Sequence, residues 1–310
     1  MKIKTTIDKY SKKDSVVTIG TFDGVHVGHQ KIIKRLVKNA AKKNLQAVVL
    51  TFFPHPRMVL QKDTKIKLIN TINEKSQLLE NLGVDHLVIQ EFTKEFSRLT
   101  ALEFVQDILV DKLHVKHLIV GYDHRFGRNR SANIENLKEY AEDYGFEITE
   151  ISAKEIDEVA VSSTKIRTAL AAGNIIKANS YLGYKFTLSG TVIKGKNLGS
   201  QIGFPTANIS IQESYKLIPK NGSYVVKVKV SENTFFGMMN IGENPTIAEK
   251  GSSIEVHLFD FQDDIYGQSI KIQLIDRLRD EQKFTSVEEL KKQLEKDRET
   301  SLKIIRTHYD

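Results

Sequence analysis

The chain has 310 residues, with 46 Lys or Arg against 39 Asp or Glu, and therefore a formal net charge of +7. It contains no Cys and no Trp, and 40% of its residues are hydrophobic. These values are typical of a globular protein of two domains, and they exclude a disulfide scaffold, a thiolate metal site and a cysteine nucleophile. The positive charge favours anionic partners, which include nucleotides, nucleic acids and anionic membranes.

Nothing in the sequence predicts export or membrane insertion. The N-terminus is basic but no apolar segment follows it, so a signal peptide is not expected. No apolar run approaches the roughly 18 residues that a bilayer-spanning helix needs. We therefore expect a cytoplasmic protein without a membrane partner, and the absence of cysteine fits a reducing compartment.

The first half of the chain alternates short β-branched runs with amphipathic helical patterns. Such alternation requires right-handed crossovers, so it predicts a doubly wound parallel sheet that binds ligands at the carboxyl ends of its strands. Strands are predicted at 16–20, 47–53, 84–89, 117–121 and 146–151, and helices at 28–43, 74–82, 101–113 and 133–144.

The pattern changes near residue 183, after a helical stretch over residues 163–182. Closely spaced strands without intervening helices then predict an antiparallel barrel or sandwich. A final amphipathic helix, continuous or broken once, is predicted over 284–309, and the domains are predicted as 1–182 and 183–310. The predicted strands of the second half are 186–194, 223–231, 234–241, 253–261 and 269–278.

The segment GTFDGVHVGH, residues 20–29, lies between the first predicted strand and the first predicted helix. Its glycines permit a tight turn in which backbone N–H groups approach a ligand, and a helix N-terminus favours an anion. His26 and His29 flank Gly28, so both imidazoles are expected to face one phosphate and to stabilise charge that builds during transfer. A zinc site or a simple turn are the alternatives, which the order strand, glycine-rich turn, HxGH and helix disfavours.

This run resembles the Rossmann-like HxGH nucleotidyltransferase superfamily and, more narrowly, the bacterial FMN adenylyltransferases. Three further motifs fit that resemblance: TFFPHP at 51–56, GYDHRFG at 121–127 and VSSTKIR at 161–167. Each stands at a predicted strand end or helix start, where the ligand crevice of a parallel sheet belongs. The resemblance implies ATP or phosphate contacts for Gly20, Phe22, Asp23, Gly24, Gly28, Asp123, Ser162, Ser163 and Thr164.

The third of these motifs also has a physical role of its own. Ser162, Ser163 and Thr164 can cap a helix whose N-terminus binds phosphate, and Arg167 can add a charge-assisted contact. Ordinary helix capping is the alternative. The resemblance implies that Arg167 takes part in catalysis. His124 stands where many relatives have Phe, so the contact made by that position stays open.

The second half contains Gly195, Gly199 and the run GFPTAN at 203–208. A glycine-rich segment can wrap phosphates, and Thr206 and Asn208 can offer two neutral oxygens to Mg²⁺, which usually takes few protein ligands. Glu255 lies in an otherwise alternating strand, and a carboxylate beside a metal–phosphate site can act as base for a hydroxyl that attacks a γ-phosphate. Taken singly, a Pro-Thr turn and a strand glutamate are more commonly structural.

As an ordered set, these features resemble the riboflavin kinases, which are small β-barrel enzymes. The match also includes NGSY at 221–224, NIG at 240–242 followed by a Pro-Thr pair, and the segment from Phe261 to Gly267. The resemblance implies phosphate contacts for Gly195, Gly199, Gly203 and Pro205, flavin contacts for Asn240, Gly242 and Thr246, and metal contacts for Thr206 and Asn208.

Together the two resemblances cover almost the whole chain, in the order of the bacterial bifunctional riboflavin kinase/FMN adenylyltransferase family. They imply phosphorylation of riboflavin to FMN with Glu255 as base, then adenylylation of FMN to FAD with charge stabilised by His26, His29 and Arg167. Mg²⁺ is the expected cofactor, and riboflavin, FMN, FAD and ATP are the expected partners. The sequence makes no prediction of the oligomeric state.

Two other functions stay open at this point. One is an HxGH enzyme that acts on another phosphate acceptor, with the barrel as its substrate domain. The other is a basic nucleic-acid-binding protein with a barrel reader. Against the second, the aromatic residues form no cluster in the sequence and no Lys/Arg block exceeds a few residues. We therefore expect no nucleic-acid partner.

Overall fold

A computed structural model of the chain describes residues 3–10, 13–61, 66–122, 124–152, 161–195, 198–243 and 252–309. The chain divides into two compact units, Met1–Ser163 and Thr164–Asp310. The predicted helical stretch over 163–182 therefore falls almost wholly with the second unit. The predicted boundary at 182/183 separates two functional domains, and it stays a prediction.

The first unit contains a six-stranded sheet in the order β1-β4-β3-β2-β5-β6, and all of its strand pairs are parallel. The predicted doubly wound sheet is therefore confirmed. From β2 the chain adds β3 and then β4 on one side of β2. It then returns to form β5 on the opposite side of β2, so the topological switch point lies between β2 and β5. The strands are β1 Ile3–Thr6, β2 Ser15–Ile19, β3 Gln46–Phe53, β4 His86–Glu91, β5 Val115–Gly121 and β6 Glu147–Ile151.

Helices cover both faces of this sheet, which explains why its strands are continuous apolar runs. Val16 belongs to one core cluster together with Ile33 of helix α1, whereas Val17 belongs to a second cluster together with Leu109. The helices are α1 Val27–Lys43, α2 Pro56–Leu60, α3 Ile72–Asn81, α4 Ala101–Glu103 and α5 Ile134–Tyr144. The predicted helix 101–113 differs in geometry, because α4 continues as a π-helix over Phe104–Val110.

The second unit begins with two helices and continues as a closed antiparallel barrel in the order β10-β11-β8-β7-β12-β9. The helices are α6 Ser163–Ala171 and α7 Ile175–Leu182, and they are separated at Gly173, which has a φ of +78°. A short helix, α8 Leu198–Gln201, follows β7. The strands are β7 Thr187–Ile193, β8 Ala207–Ser210, β9 Gly222–Val230, β10 Asn233–Glu243, β11 Ser252–Leu258 and β12 Ser269–Arg279.

The last helix, α9 Val287–Tyr309, is unbroken and packs on the barrel. Ile305 belongs to one apolar cluster with Phe204, Val225 and Met238. The Arg279 guanidinium lies 2.9 Å from the Asp297 carboxylate, and the Asp297 side chain is only 5% exposed. This ion pair fixes the end of β12 to α9. Among the described residues, no helix combines the length and the apolar character that crossing a membrane requires.

Candidate active sites

The turn that follows β2 leaves the sheet at its switch point and leads into α1. Three of its residues have positive φ angles, namely Phe22 at 43°, Gly24 at 90° and Val25 at 36°. Residues with a side chain rarely adopt this conformation, so Phe22 and Val25 need surrounding contacts to hold them there. The turn places His26 at the N-terminus of α1, where it is the N-cap residue.

The structure brings the two histidines of this turn together. Their rings stack with centroids 3.6 Å apart and an interplanar angle of 18°. The His26 Nδ1 atom accepts a hydrogen bond from the His29 backbone N–H at 3.3 Å, so in its neutral form His26 carries its proton on Nε2. A Cβ atom at Gly28 would lie 3.3 Å from the His26 ring, which explains why a residue without a side chain stands between them.

Burial controls the charge of both imidazoles. It lowers the pKa of His26 to about 4. It also lowers the pKa of His29 well below its ordinary value, and the His26 ring and the Lys75 ammonium group lower it further. Both rings are therefore neutral at pH 7. A neutral imidazole can still donate an N–H to a phosphoryl oxygen, whose negative charge it then stabilises without itself being a cation.

Asp23 and Ser163 make hydrogen bonds that hold the turn. The Asp23 side chain is buried, and its Oδ1 atom accepts the backbone N–H of Ile69 at 2.9 Å and that of Asn70 at 3.4 Å. The Ser163 hydroxyl donates to the Asp23 carbonyl oxygen at 2.8 Å. These contacts give both residues a structural role, and their phosphate contacts stay predictions.

Lys75 lies near this turn but was missed by the sequence analysis. Only 3% of its surface is exposed, and its Nζ atom donates a hydrogen bond to the Thr21 carbonyl oxygen at 2.6 Å. The Thr51 hydroxyl donates to the same oxygen at 3.3 Å. The sequence held one signal, since Lys75 stands four residues before the buried Leu79 and therefore lies on the same face of the predicted helix.

The other predicted residues of the first site are placed as follows. Gly20 lies against Phe22, because a Cβ atom at Gly20 would lie 3.0 Å from the Phe22 ring. That ring in turn meets His29 edge-on at a centroid distance of 5.2 Å. On α6, Thr164 is exposed and Arg167 is half-buried, and Ser162 directly precedes the helix. Asp123 lies outside the described residues.

In the barrel, strand register aligns three of the predicted residues in one row, one each from the catalytic, metal and flavin sets. Glu255 of β11 is paired with Asn208 of β8 on one side and with Asn240 of β10 on the other. Asn240 is also paired with Ser223 of β9, which is paired with Arg279 of β12. Paired residues of antiparallel strands point to the same face, so this polar row crosses five strands on one face.

The donors around Glu255 suit a magnesium ion. The Thr206 hydroxyl donates to Glu255 Oε2 at 3.4 Å, and the amide of Asn208 lies so close to Gly195 that a Cβ atom there would overlap it. Hydroxyl, amide and carboxylate oxygens are the ligands that Mg²⁺ prefers. No group of three or more His, Asp or Glu side chains in the described part of the chain could hold a metal ion, so such an ion would depend on these oxygens and on ligand phosphates.

A cleft of about 300 Å³ adjoins Thr206 and extends to residues of the motif segment from Phe261 to Gly267. Its lining includes Ser200, Pro205, Thr206, Phe261, Asp264 and Tyr266. The Nδ1–H group of His257 donates to the Pro205 carbonyl oxygen at 2.8 Å and so fixes one wall. Burial lowers the pKa of His257, so this ring too is neutral at pH 7.

The remaining predicted residues of the barrel lie in tight surroundings. A Cβ atom at Gly199 would overlap the Phe204 carbonyl oxygen, and one at Gly242 would overlap the Glu281 carboxylate. Glu281 Oε2 accepts a hydrogen bond from Asn221 Nδ2 at 3.3 Å. Glu281 is thus a neighbour of Gly242 that no sequence motif indicated. Gly203 is exposed and has a φ of +85°. Thr246 lies outside the described residues.

Comparisons with known proteins assign both halves of the chain. The FAD synthetase family model matches residues 8–165, and the riboflavin kinase family model matches residues 182–305. A bifunctional riboflavin kinase/FMN adenylyltransferase of Listeria monocytogenes is 42% identical over 294 residues, which are 94% of this chain and 93% of that protein. The chain belongs to the bifunctional riboflavin kinase/FMN adenylyltransferase family.

A second member of the family agrees with this assignment, and one solved structure shares the fold of the whole chain. The Escherichia coli member of the family is 39% identical, and the alignment covers 92% of this chain and 91% of that protein. A crystal structure from Streptococcus pneumoniae, described as a macrolide-efflux protein, matches with a TM-score of 0.85 and 32% identity, covering 96% and 99% of the two chains. The family predicted from the motifs is confirmed, and the nucleic-acid-binding alternative loses its support.

Proposed function

We propose that this family member makes FAD from riboflavin in two ATP-dependent steps, one in each unit. The barrel unit phosphorylates riboflavin, and the parallel-sheet unit adenylylates the FMN that results. The observation that carries the proposal is that one chain matches both families and also holds a paired-histidine turn and a polar row around Glu255. The predicted functional boundary at 182/183 is supported by the riboflavin kinase match, which begins at residue 182.

In the proposed kinase step, Glu255 accepts the proton of the ribityl 5′-hydroxyl group. The hydroxyl oxygen forms a bond to the γ-phosphorus of ATP while the bond to the β,γ-bridging oxygen breaks, so the products are FMN and ADP. Asn208 and Asn240 flank Glu255 in the row and would hold it in place. Thr206 and Asn208 would hold Mg²⁺, which when bound neutralises phosphate charge. Pro205 and the glycines at 195, 199 and 203 border the nucleotide phosphates in this proposal.

In the proposed adenylyl step, an FMN phosphate oxygen forms a bond to the α-phosphorus of a second ATP, and the bond to the α,β-bridging oxygen breaks. FAD and pyrophosphate are the products. The attacking oxygen is already anionic, so no general base is needed. The neutral rings of His26 and His29 donate hydrogen bonds to the phosphoryl oxygens, and Arg167 supplies positive charge to the leaving pyrophosphate. The support is the fixed tautomer of His26 at the start of α1.

We also propose that the enzyme works in the cytoplasm on riboflavin, FMN and ATP. Cytoplasmic ATP supplies both steps. The absence of cysteine is compatible with that compartment.

The test is to incubate the full chain with riboflavin, ATP and Mg²⁺ and to separate the flavins by chromatography over time. FMN is expected first and FAD later, and a reaction without ATP is the control. A second reaction starts from FMN instead of riboflavin and tests the adenylyl step alone. The proposal fails for a given unit when its product does not form.

A further inference from the structure

The turn that carries the site histidines is held by a buried lysine. Lys75 lies in the first turn of α3, a helix that begins with a capping box between Thr71 and Glu74. Burying a lysine is unfavourable unless its ammonium group is paired and hydrogen-bonded. The Lys75 ammonium group therefore needs an acceptor within hydrogen-bond distance.

Its partners all belong to the turn or act on it. The Nζ atom donates to the Thr21 carbonyl oxygen at 2.6 Å. Burial lowers the pKa of Lys75 to about 8, while the Asp23 carboxylate raises it, so the amine is protonated at pH 7. The Asp23 carboxylate in turn accepts the backbone N–H groups of Ile69 and Asn70. Residues 69–75 thus hold the turn at two points, one on each side of Phe22.

The turn needs such contacts. Phe22 and Val25 both have positive φ angles and both carry side chains, so the conformation persists only when the surroundings fix it. His26 directly follows Val25, and its ring position sets the stacking with His29. A change at Thr21 or Asp23 therefore reaches the imidazoles through the short backbone segment that ends at Val25.

We propose that Lys75 is a positioning residue for adenylyl transfer, whose ammonium group, hydrogen-bonded to the Thr21 carbonyl oxygen, fixes the strained turn that presents His26 and His29. This role rests on the adenylyl transfer proposed for the first unit. Lys75 is 3% exposed and donates to the Thr21 carbonyl oxygen, so this role acts through the turn. Its loss should therefore lower kcat for FAD formation and change the KM for ATP and FMN little.

The experiment compares Lys75→Met with Leu137→Ala in the full chain. Leu137 is buried in α5 and belongs to the apolar cluster that contains neither Phe22 nor Val25, so its truncation destabilises the same unit without removing a contact of the turn. At a temperature at which both variants are folded, Lys75→Met should lose about 10²-fold in kcat for FAD formation from FMN, the loss that a small misplacement of catalytic groups causes. Leu137→Ala should stay near the wild-type value, and riboflavin phosphorylation should be unchanged in both.

Lys75→Arg keeps the charge and the donors in a larger side chain, so it should recover part of the lost rate. Equal rates for Lys75→Met and Leu137→Ala would overturn the proposal. So would a Lys75→Arg variant no faster than Lys75→Met. If Lys75→Met does not fold, Lys75→Arg is compared directly with the wild type, and a loss of about 10²-fold with unchanged unfolding would overturn the proposal.

A readout independent of activity separates this proposal from the proposed function. Nitrogen-15 NMR of the histidine rings reports their tautomers and surroundings. In Lys75→Met the His26 and His29 signals should shift, whereas those of His257 in the barrel should not. Unshifted signals would overturn the positioning role even where FAD forms, and shifted signals in a chain that makes no FAD would count against the proposed function alone.

Discussion

The two candidate sites are built in different ways. In the first unit, the histidines are carried by a turn with strained backbone at Phe22 and Val25, and His26 is buried. In the barrel, Glu255 and Asn208 are half-buried side chains that the pairing of neighbouring strands sets side by side. A site of the first kind depends on local backbone conformation, whereas a site of the second kind depends on strand register. The two should therefore respond to different substitutions.

Glu255→Ala should give the largest effect and break only the barrel site. Removing a base lowers a rate by about 10²–10⁴-fold, so riboflavin phosphorylation should fall by that factor. FAD formation from supplied FMN should be unchanged, because the row does not belong to the first unit. Chromatography of the flavins measures both rates. Glu232→Ala removes an exposed glutamate of the same barrel and is the matched control, so both rates should stay at the wild-type value. Riboflavin phosphorylation that survives Glu255→Ala would refute the role of Glu255 as base.

His29→Ala should be the counterpart in the first unit. Loss of one donor to a charged transition state costs about 10²–10³-fold, so FAD formation should fall by that amount and FMN should accumulate from riboflavin. The kinase rate of the same sample is the internal control. Because the neutral ring acts as a donor, His29→Gln should retain more activity than His29→Ala. Equal losses in the two variants would contradict action through a hydrogen bond.

Gly28→Ala tests the turn more finely, with a smaller effect. Its Cβ atom would lie 3.3 Å from the His26 ring and displace it, so FAD formation should fall by about tenfold. Stability should not fall with it, since alanine in place of glycine within a helix contributes up to about 1 kcal/mol. Urea unfolding and the FAD assay together measure the two effects. A variant that loses stability and activity in parallel would show that the helix, and not the ring position, had been disturbed.

The sequence was informative where one local pattern determines the structure. Val48–Leu50 is a continuous apolar run because β3 is buried on both faces, so the parallel sheet was predictable. β8 was not, because its four residues show no alternation and Ala207–Ser210 is a strand only by pairing with β7 and β11. Periodicity also cannot separate the π-helix of Phe104–Val110 from an α-helix.

The candidate sites show the same difference between residues placed by a local pattern and residues placed by tertiary contacts. The HxGH motif is local, so the sequence predicted that His26 and His29 lie together. Glu255 and Asn208 are 47 positions apart in the sequence (255 − 208). From the sequence, only the resemblance to known enzymes indicated that they belong to one site, and the strand register of the structure places them side by side. Lys75 was missed because a lysine in a helix is usually solvated, and its partner Thr21 lies on another element. Charges buried by tertiary contacts leave little signal in a single sequence.

The smallest predicted effect concerns pH and again separates the two units. The pKa of His26 is about 4 in the folded protein and 6.5 in the unfolded chain. Between pH 4 and pH 6.5 the unfolded chain therefore binds more protons than the folded protein. Stability of the first unit is therefore fully present above pH 6.5 and falls as the pH drops towards 4, by at most about 1.4 kcal/mol per pH unit for this residue. His29 adds a loss of the same sign, since its pKa is lowered too.

Hydrogen exchange, corrected for the intrinsic effect of pH, can follow the two units separately at pH 7 and pH 5.5 in peptides from β2 and β9. Protection of β2 should decrease more than that of β9, because two buried imidazoles border the turn after β2 and one, His257, lies in the barrel with its pKa lowered by burial. Equal decreases in both peptides would mean that the histidines of the turn are not buried neutral groups. Their role as uncharged donors in adenylyl transfer would then have to be replaced by that of cations.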